Sequence, residues 1–218
     1  MNRLSLLATA ALAAAATPAF AQDATTGSSF TGPRAEIFGG WDRVGARTTF
    51  FNLDGSTTKA KDHANGAIAG IALGYDMPVG DKLVVGAFGS FAIPTAKFCT
   101  TYGTAGSGCL RAEREIEGGV RAGMKVGPRT LVYAKGAYVN GRFKSTFSDG
   151  AGYIKDHTNR DGWRAGAGAE FALNNHAYVK AEYDYTRYNS FNSSTLEGVD
   201  TRARFDRNQV LAGFGVRF

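Results

Sequence analysis

Eight times along this chain apolar and polar residues alternate one for one, and the mature part shows no helical period. A period of two is a strand with one apolar and one wet face. The runs cover 33–44, 64–76, 83–92, 112–126, 130–143, 162–173, 177–188 and 206–218. In the fourth, Ile116, Val120, Ala122, Met124 and Val126 oppose Glu115, Glu117, Arg121 and Lys125. In the last, Val210, Ala212, Phe214, Val216 and Phe218 share one face and the chain stops on the aromatic. An edge strand built this way would aggregate in water unless its apolar face were covered.

The connections decide the topology. DMPVGDK, GPR and NNH are short, whereas the other four connections each hold about 15 to 20 polar, Gly/Ser/Thr/Asn/Asp-rich residues. Alternating short and long links predict an all-β fold, an eight-stranded antiparallel up-and-down transmembrane β-barrel with short periplasmic turns and long extracellular loops. Closure leaves no sheet edge, and lipid covers the apolar outside. Glycine, at 29 of 218 residues, is about twice its usual share of 7 per cent, and much of it falls on the charged phase, where a narrow interior is crowded. The opposite packing, a soluble lipocalin-like barrel with its apolar face inward, is the competing architecture. Residues 1–21 carry an early Arg3, an apolar run from Leu4 to Ala16 and Ala19-Phe20-Ala21, which predicts a cleaved secretory signal peptide and a single barrel domain over 22–218.

Aromatic residues on the outward phase mark the two interfaces: Trp41, Phe91, Tyr138, Trp163 and Tyr185 at loop-side ends, and Tyr75, Phe171 and Phe218 at turn-side ends.

On residues 33–44, on GAGAEFALNNHAYVKAEYDYTRY and on the closing QVLAGFGVRF, the chain resembles the small outer-membrane β-barrel family of Gram-negative bacteria. That family is often labelled "porin family" and is similar to opacity proteins and to the membrane part of OmpA. The resemblance implies residence in the outer membrane with both chain ends periplasmic. It also implies that Phe218 serves as the signal read by the barrel-assembly machinery. Because no peptidoglycan-binding domain follows, no anchoring on the cell wall is expected.

An eight-stranded interior is just wide enough for side chains to fill. The inward phase carries Glu36, Asp42, Glu115, Glu117, Glu170, Glu182 and Asp184 against Arg121, Lys125, Lys135, Arg164, Lys180 and Arg217. Enclosed charges without partners are costly, so near balance predicts a network that plugs the lumen. A solvated lumen with loose pairs, forming a narrow porin for small solutes, is the alternative.

Cys99 and Cys109 bracket TTYGTAGSG in the second long loop; in an exported chain they predict a disulfide, and their spacing without a nearby His is poor for a metal. His63 and His157 are expected in loops and His176 in a turn, away from any Ser or Asp partner. Ser90 reads as a lumen hydroxyl, and the Glu115 and Glu117 carboxylates read as ion-pair members. No catalytic, metal or cofactor site is therefore expected, with a lipid-modifying or proteolytic barrel as the minor alternative. The formal charge of +6 is scattered, which argues against nucleic acid. The basic residues Arg43, Arg47, Lys59, Lys61, Arg111, Lys144, Lys155 and Arg160 predict attraction to lipopolysaccharide phosphates. The loops are also where any extracellular ligand would bind.

Overall fold

In a computed structural model of the chain, residues 30–51, 56–101, 107–148, 152–189, 191–194 and 200–218 are described. The predicted signal peptide lies outside them. Ten strands follow in order: β1 Gly32–Phe51, β2 Thr57–Val79, β3 Leu83–Pro94, β4 Lys97–Thr101, β5 Ser107–Lys125, β6 Thr130–Ser148, β7 Tyr153–Ala172, β8 Ala177–Tyr188, β9 Phe191–Ser194 and β10 Asp200–Arg217. Eight of them close a ring, β1-β2-β3-β5-β6-β7-β8-β10, with every neighbour antiparallel and β10 returning to β1 from Arg34↔Arg217 to Phe51↔Asp200. The expected topology holds.

The two extra strands correct the expected long loops. β4 continues the line of β3 and pairs with β5, and β9 continues β8 and pairs with β10. Most of what reads as loop is therefore strand: β1 runs on to Phe51, β2 begins at Thr57 and β7 at Tyr153. Outside the membrane both faces are wet, so the ladder can continue without any apolar alternation to announce it. His63 and His157, and all eight basic residues assigned to loops, lie on these strands, while His176 does sit in the β7–β8 turn. Between β3 and β4, Thr95 bridges the gap after Pro94. Its N–H and hydroxyl donate to the Ala67 carbonyl at 2.8 and 3.1 Å, and its hydroxyl accepts from Ala67 N–H at 2.8 Å.

Tight turns close the other end. Gly127 takes a left-handed conformation, φ 84°, in the β5–β6 turn, where a side chain would be strained. In the β7–β8 turn the Asn174 side-chain oxygen accepts from the N–H groups of His176 and Ala177 at 2.8 and 2.7 Å. At the C-terminal end, Phe218 N–H donates to Pro33 at 3.0 Å and Arg217 N–H to His176 at 2.6 Å, so the final rung is paired on both sides.

The apolar phase faces out. Ile37, Ile71, Leu73, Val120 and Val210 are all more than half exposed. All eight girdle aromatics lie on this phase; Tyr185 is half-buried, its ring 5.8 Å from that of Trp163. From Trp163 to Phe171 is 171 − 163 = 8 residues of β7, about 27 Å of strand and roughly 20 Å of height at a tilt near 40°, close to the band such barrels present to lipid.

Candidate functional site

The lumen is where the chain concentrates its buried chemistry. Eight acids are buried there: Glu36, Asp42, Asp76, Glu115, Glu117, Glu170, Glu182 and Asp184. They face five buried arginines, Arg34, Arg121, Arg164, Arg207 and Arg217, together with Lys135 and Lys180, whose side chains are 6 and 7 per cent exposed. Each acid meets at least one base within ion-pair distance.

Three tiers can be followed up the barrel. Nearest the short turns, Asp76 accepts a two-pronged contact from Arg121 at 2.9 and 2.5 Å and a third from Arg217 at 3.4 Å, with Arg34 Nε at 3.3 Å. Glu170 joins the same group through Arg121 and, at 2.5 Å, Arg217. Below this tier Phe30, 2 per cent exposed, packs with Val84, Leu131 and Ala172, and the Arg217 guanidinium lies 5.6 Å from its ring.

In the middle tier Lys180 reaches Glu36 at 2.7 Å, and the Tyr178 hydroxyl donates to the same carboxylate at 2.5 Å. Glu182 receives Lys135 at 2.9 Å and the Tyr133 hydroxyl at 2.5 Å, and Lys135 also touches Glu117 at 3.1 Å and Asp184 at 2.9 Å. Ser90 donates to Glu117 at 3.1 Å, as a lumen hydroxyl. The space left among these side chains is a cavity of about 20 Å³, about one water molecule's worth.

In the loop-side tier Arg164 donates to Glu115 at 2.7 Å, Glu117 at 2.9 Å and the Thr186 hydroxyl at 2.7 Å. Arg207 grips both oxygens of Asp42 at 2.5 and 2.6 Å and reaches Glu115, which also accepts from Tyr188 at 3.1 Å. At the loop-side end Ala112, Val139, Phe143 and Tyr188 form a buried apolar cluster, with Leu110 and Phe205 packed against it.

Twelve of the thirteen residues expected in this network take part in it. The exception is Lys125, half-buried at the turn-side end of β5 and in no ion pair among the described residues. Arg34, Asp76 and Arg207 were missed, although strand phase could have found them: Arg34 is in step with Glu36, Asp76 with Gly74, and Arg207 with Arg217. Phe30 precedes the first run, so no periodicity pointed to it.

On the outer wall above the girdle, six basic residues form two rows. Arg204, Arg47 and Lys61 stand directly opposite one another across β10, β1 and β2. Lys97, Arg111 and Lys144 do so across β4, β5 and β6. Lys97, Arg142 and Arg204 lie outside the expected set of outer basic residues, and Arg114 faces Arg142 across β5 and β6. Arg43, Lys59 and Lys155 stand opposite uncharged residues and belong to neither row, and Arg160 lies on the inward phase of β7. Beside the second row Cys99 and Cys109 are disulfide-bonded. They are directly opposed in the β4–β5 ladder and so form a cross-strand staple rather than a tie within a loop.

Residues 7–218 match the family model described as outer membrane protein beta-barrel domain. The chain is 31% identical over 162 residues to the 31 kDa outer-membrane immunogenic protein of Brucella melitensis, covering 71% of this chain and 68% of that protein. Among solved structures it is similar to the outer membrane protease OmpT of Escherichia coli, with a TM-score of 0.50 at 9% identity over 89% of this chain and 99% of that one. It is also similar to Ail of Yersinia pestis, with a TM-score of 0.42 at 17% identity over 86% and 99%. A closed ring of eight antiparallel strands, apolar outside and charged inside, thus carries the sequence of its family, and the chain belongs to the outer-membrane β-barrel proteins.

Proposed function

We propose that this outer-membrane protein is a non-catalytic structural and surface barrel whose lumen is closed to solutes by paired charges. The observation that carries the reading is the three-tier network with a central cavity of about 20 Å³. Opening a solute path would require parting several ion pairs at once in a space from which water is largely excluded, and each stranded charge would be costly. The same pairing supports the absence of acid–base catalysis. Glu115 and Glu117, the adjacent carboxylates, are both held by Arg164, so each is occupied by a base within the network rather than free to meet a substrate. Phe218, exposed at the turn-side rim, is available for recognition during assembly.

The test is conductance of the refolded protein in planar bilayers. Rare, small events are expected. Stable, reproducible channels that admit small solutes would overturn the closed-lumen reading in favour of a narrow porin.

A further inference from the structure

The outer wall of β4–β7 carries an arrangement that the closed lumen does not explain. Lys97 stands opposite Arg111, Arg111 opposite Lys144, and Arg114 opposite Arg142. Like charges directly opposite in a sheet destabilise it, so this patch raises the energy of the barrel on its own. A β-bulge between Ala112 and Arg114 inserts Glu113 and sets its carboxylate among the bases, 3.6 Å from Arg142, 4.0 Å from Lys144 and 3.1 Å from His157. One carboxylate against five fixed cations leaves a large positive excess. Lys97, Arg111, Glu113 and Lys144 line a shallow groove of about 460 Å³ along this wall.

Two further observations indicate what the groove receives. These side chains point away from the barrel on the same wall as the apolar band, so an occupant must approach from the surrounding membrane leaflet. Their height also fits: Lys144 lies 144 − 138 = 6 residues above the girdle Tyr138, and His157 lies 163 − 157 = 6 above Trp163. That is about 20 Å along the strand and roughly 15 Å above the aromatic belt at a tilt near 40°, with the Arg114–Arg142 pair one rung-pair lower. A headgroup bearing anions at several heights matches this ladder better than a single ion would. The staple fits the same purpose, because Cys99–Cys109 lies two residues from the Lys97–Arg111 pair and holds a five-residue strand in register against the repulsion.

We propose that the cation ladder Lys97, Arg111, Arg114, Arg142 and Lys144 on β4–β6 is a binding site for the phosphorylated acidic glycolipid of the outer leaflet, lipopolysaccharide. The opposite row Arg204–Arg47–Lys61 has neither a bulge nor a staple, and Asp206 lies 3.6 Å from Arg47. The inference rests only on the outer-membrane location: open channels in the conductance test would leave it intact, and loss of glycolipid binding would leave the closed lumen intact.

The experiment titrates the folded full-length barrel, in neutral detergent, with short-chain lipopolysaccharide and compares it with the K97Q/R111Q/K144Q variant, whose folding is checked by heat-modifiable gel mobility. Removing three bases should weaken binding by about tenfold or more, and the dephosphorylated glycolipid should bind the native protein no better than it binds the variant. Equal affinity of variant and native protein would overturn the site. Equal competition by inorganic phosphate, or tighter binding of a soluble sulfated oligosaccharide, would overturn the glycolipid assignment. A salt titration of the native protein decides the matter if the variant does not fold: affinity should fall steeply between about 50 and 500 mM salt, and an unchanged affinity would refute the proposal.

Discussion

Arg207 shows how strongly a single inward position is constrained in a barrel this narrow. It is 1 per cent exposed, holds both oxygens of Asp42 and reaches Glu115. A lysine would lose the fork that matches the carboxylate, and an apolar residue would leave Asp42 charged at 0 per cent exposure with only Gln209 at 3.3 Å. Arg207→Met should therefore cost about 3 to 5 kcal/mol, while Arg207→Met combined with Asp42→Asn should recover most of it. Urea unfolding of the refolded protein measures both; a single-variant cost below about 1 kcal/mol would mean that water reaches this tier. Glycine serves the same crowding from the other side. A Cβ on Gly86 would run into the Asp76 carboxylate, and one on Gly215 into the Tyr178 ring, so these positions are bare because large charged and aromatic neighbours occupy their space.

The strands divide into a part that lipid shapes and a part that it does not, and the division governs what their sequence reveals. Within the membrane, alternation is enforced on every residue, so all eight ring strands and the outward aromatics were readable. Beyond the girdle no solvent asymmetry exists, and segments such as TTKAKDHA in β2 and YIKDHTNR in β7 look like loop because nothing but the ladder holds them. The lumen was legible as a balance of charges but not as a set of partners. Pairs such as Asp42–Arg207 and Arg121–Asp76 join residues far apart in the chain, and which acid meets which base depends on register and tilt. The bulge beside Arg114 was equally silent. β4 is a short, weakly supported element: five residues, paired to β5 and stapled through Cys99–Cys109. Cys99→Ser/Cys109→Ser should therefore leave global unfolding of the barrel nearly unchanged while hydrogen exchange across Lys97–Thr101 quickens markedly, since local opening draws on weakly held units. Unchanged exchange would show that the ladder alone holds β4, and the staple would then have no role in keeping Lys97 opposite Arg111.

Taken as a whole the barrel is inverted relative to a water-soluble domain: its ionic groups form the interior and its aliphatic groups the exterior, and each half of that inversion depends on the other. Ring closure between β1 and β10 leaves the eight-stranded ring without an open edge, which permits an apolar outside only where lipid replaces water. The pairing of charges inside permits a core built of polar and charged side chains. The decisive check of the outward half is a charge placed on it. Ile71 is 57 per cent exposed and sits in one rung with Ile37 and Phe214, between the Trp41 and Tyr75 levels. Ile71→Arg should cost about 2 to 4 kcal/mol in a bilayer, where Arg at the midplane must be desolvated, whereas the same change at Thr49, above the girdle, should cost close to nothing. Reversible unfolding of the two variants from lipid vesicles measures the difference. A soluble barrel of the same shape would tolerate arginine at both positions alike, so equal stabilities would refute the placement of this rung in the hydrocarbon, and with it the membrane-spanning orientation of the whole ring.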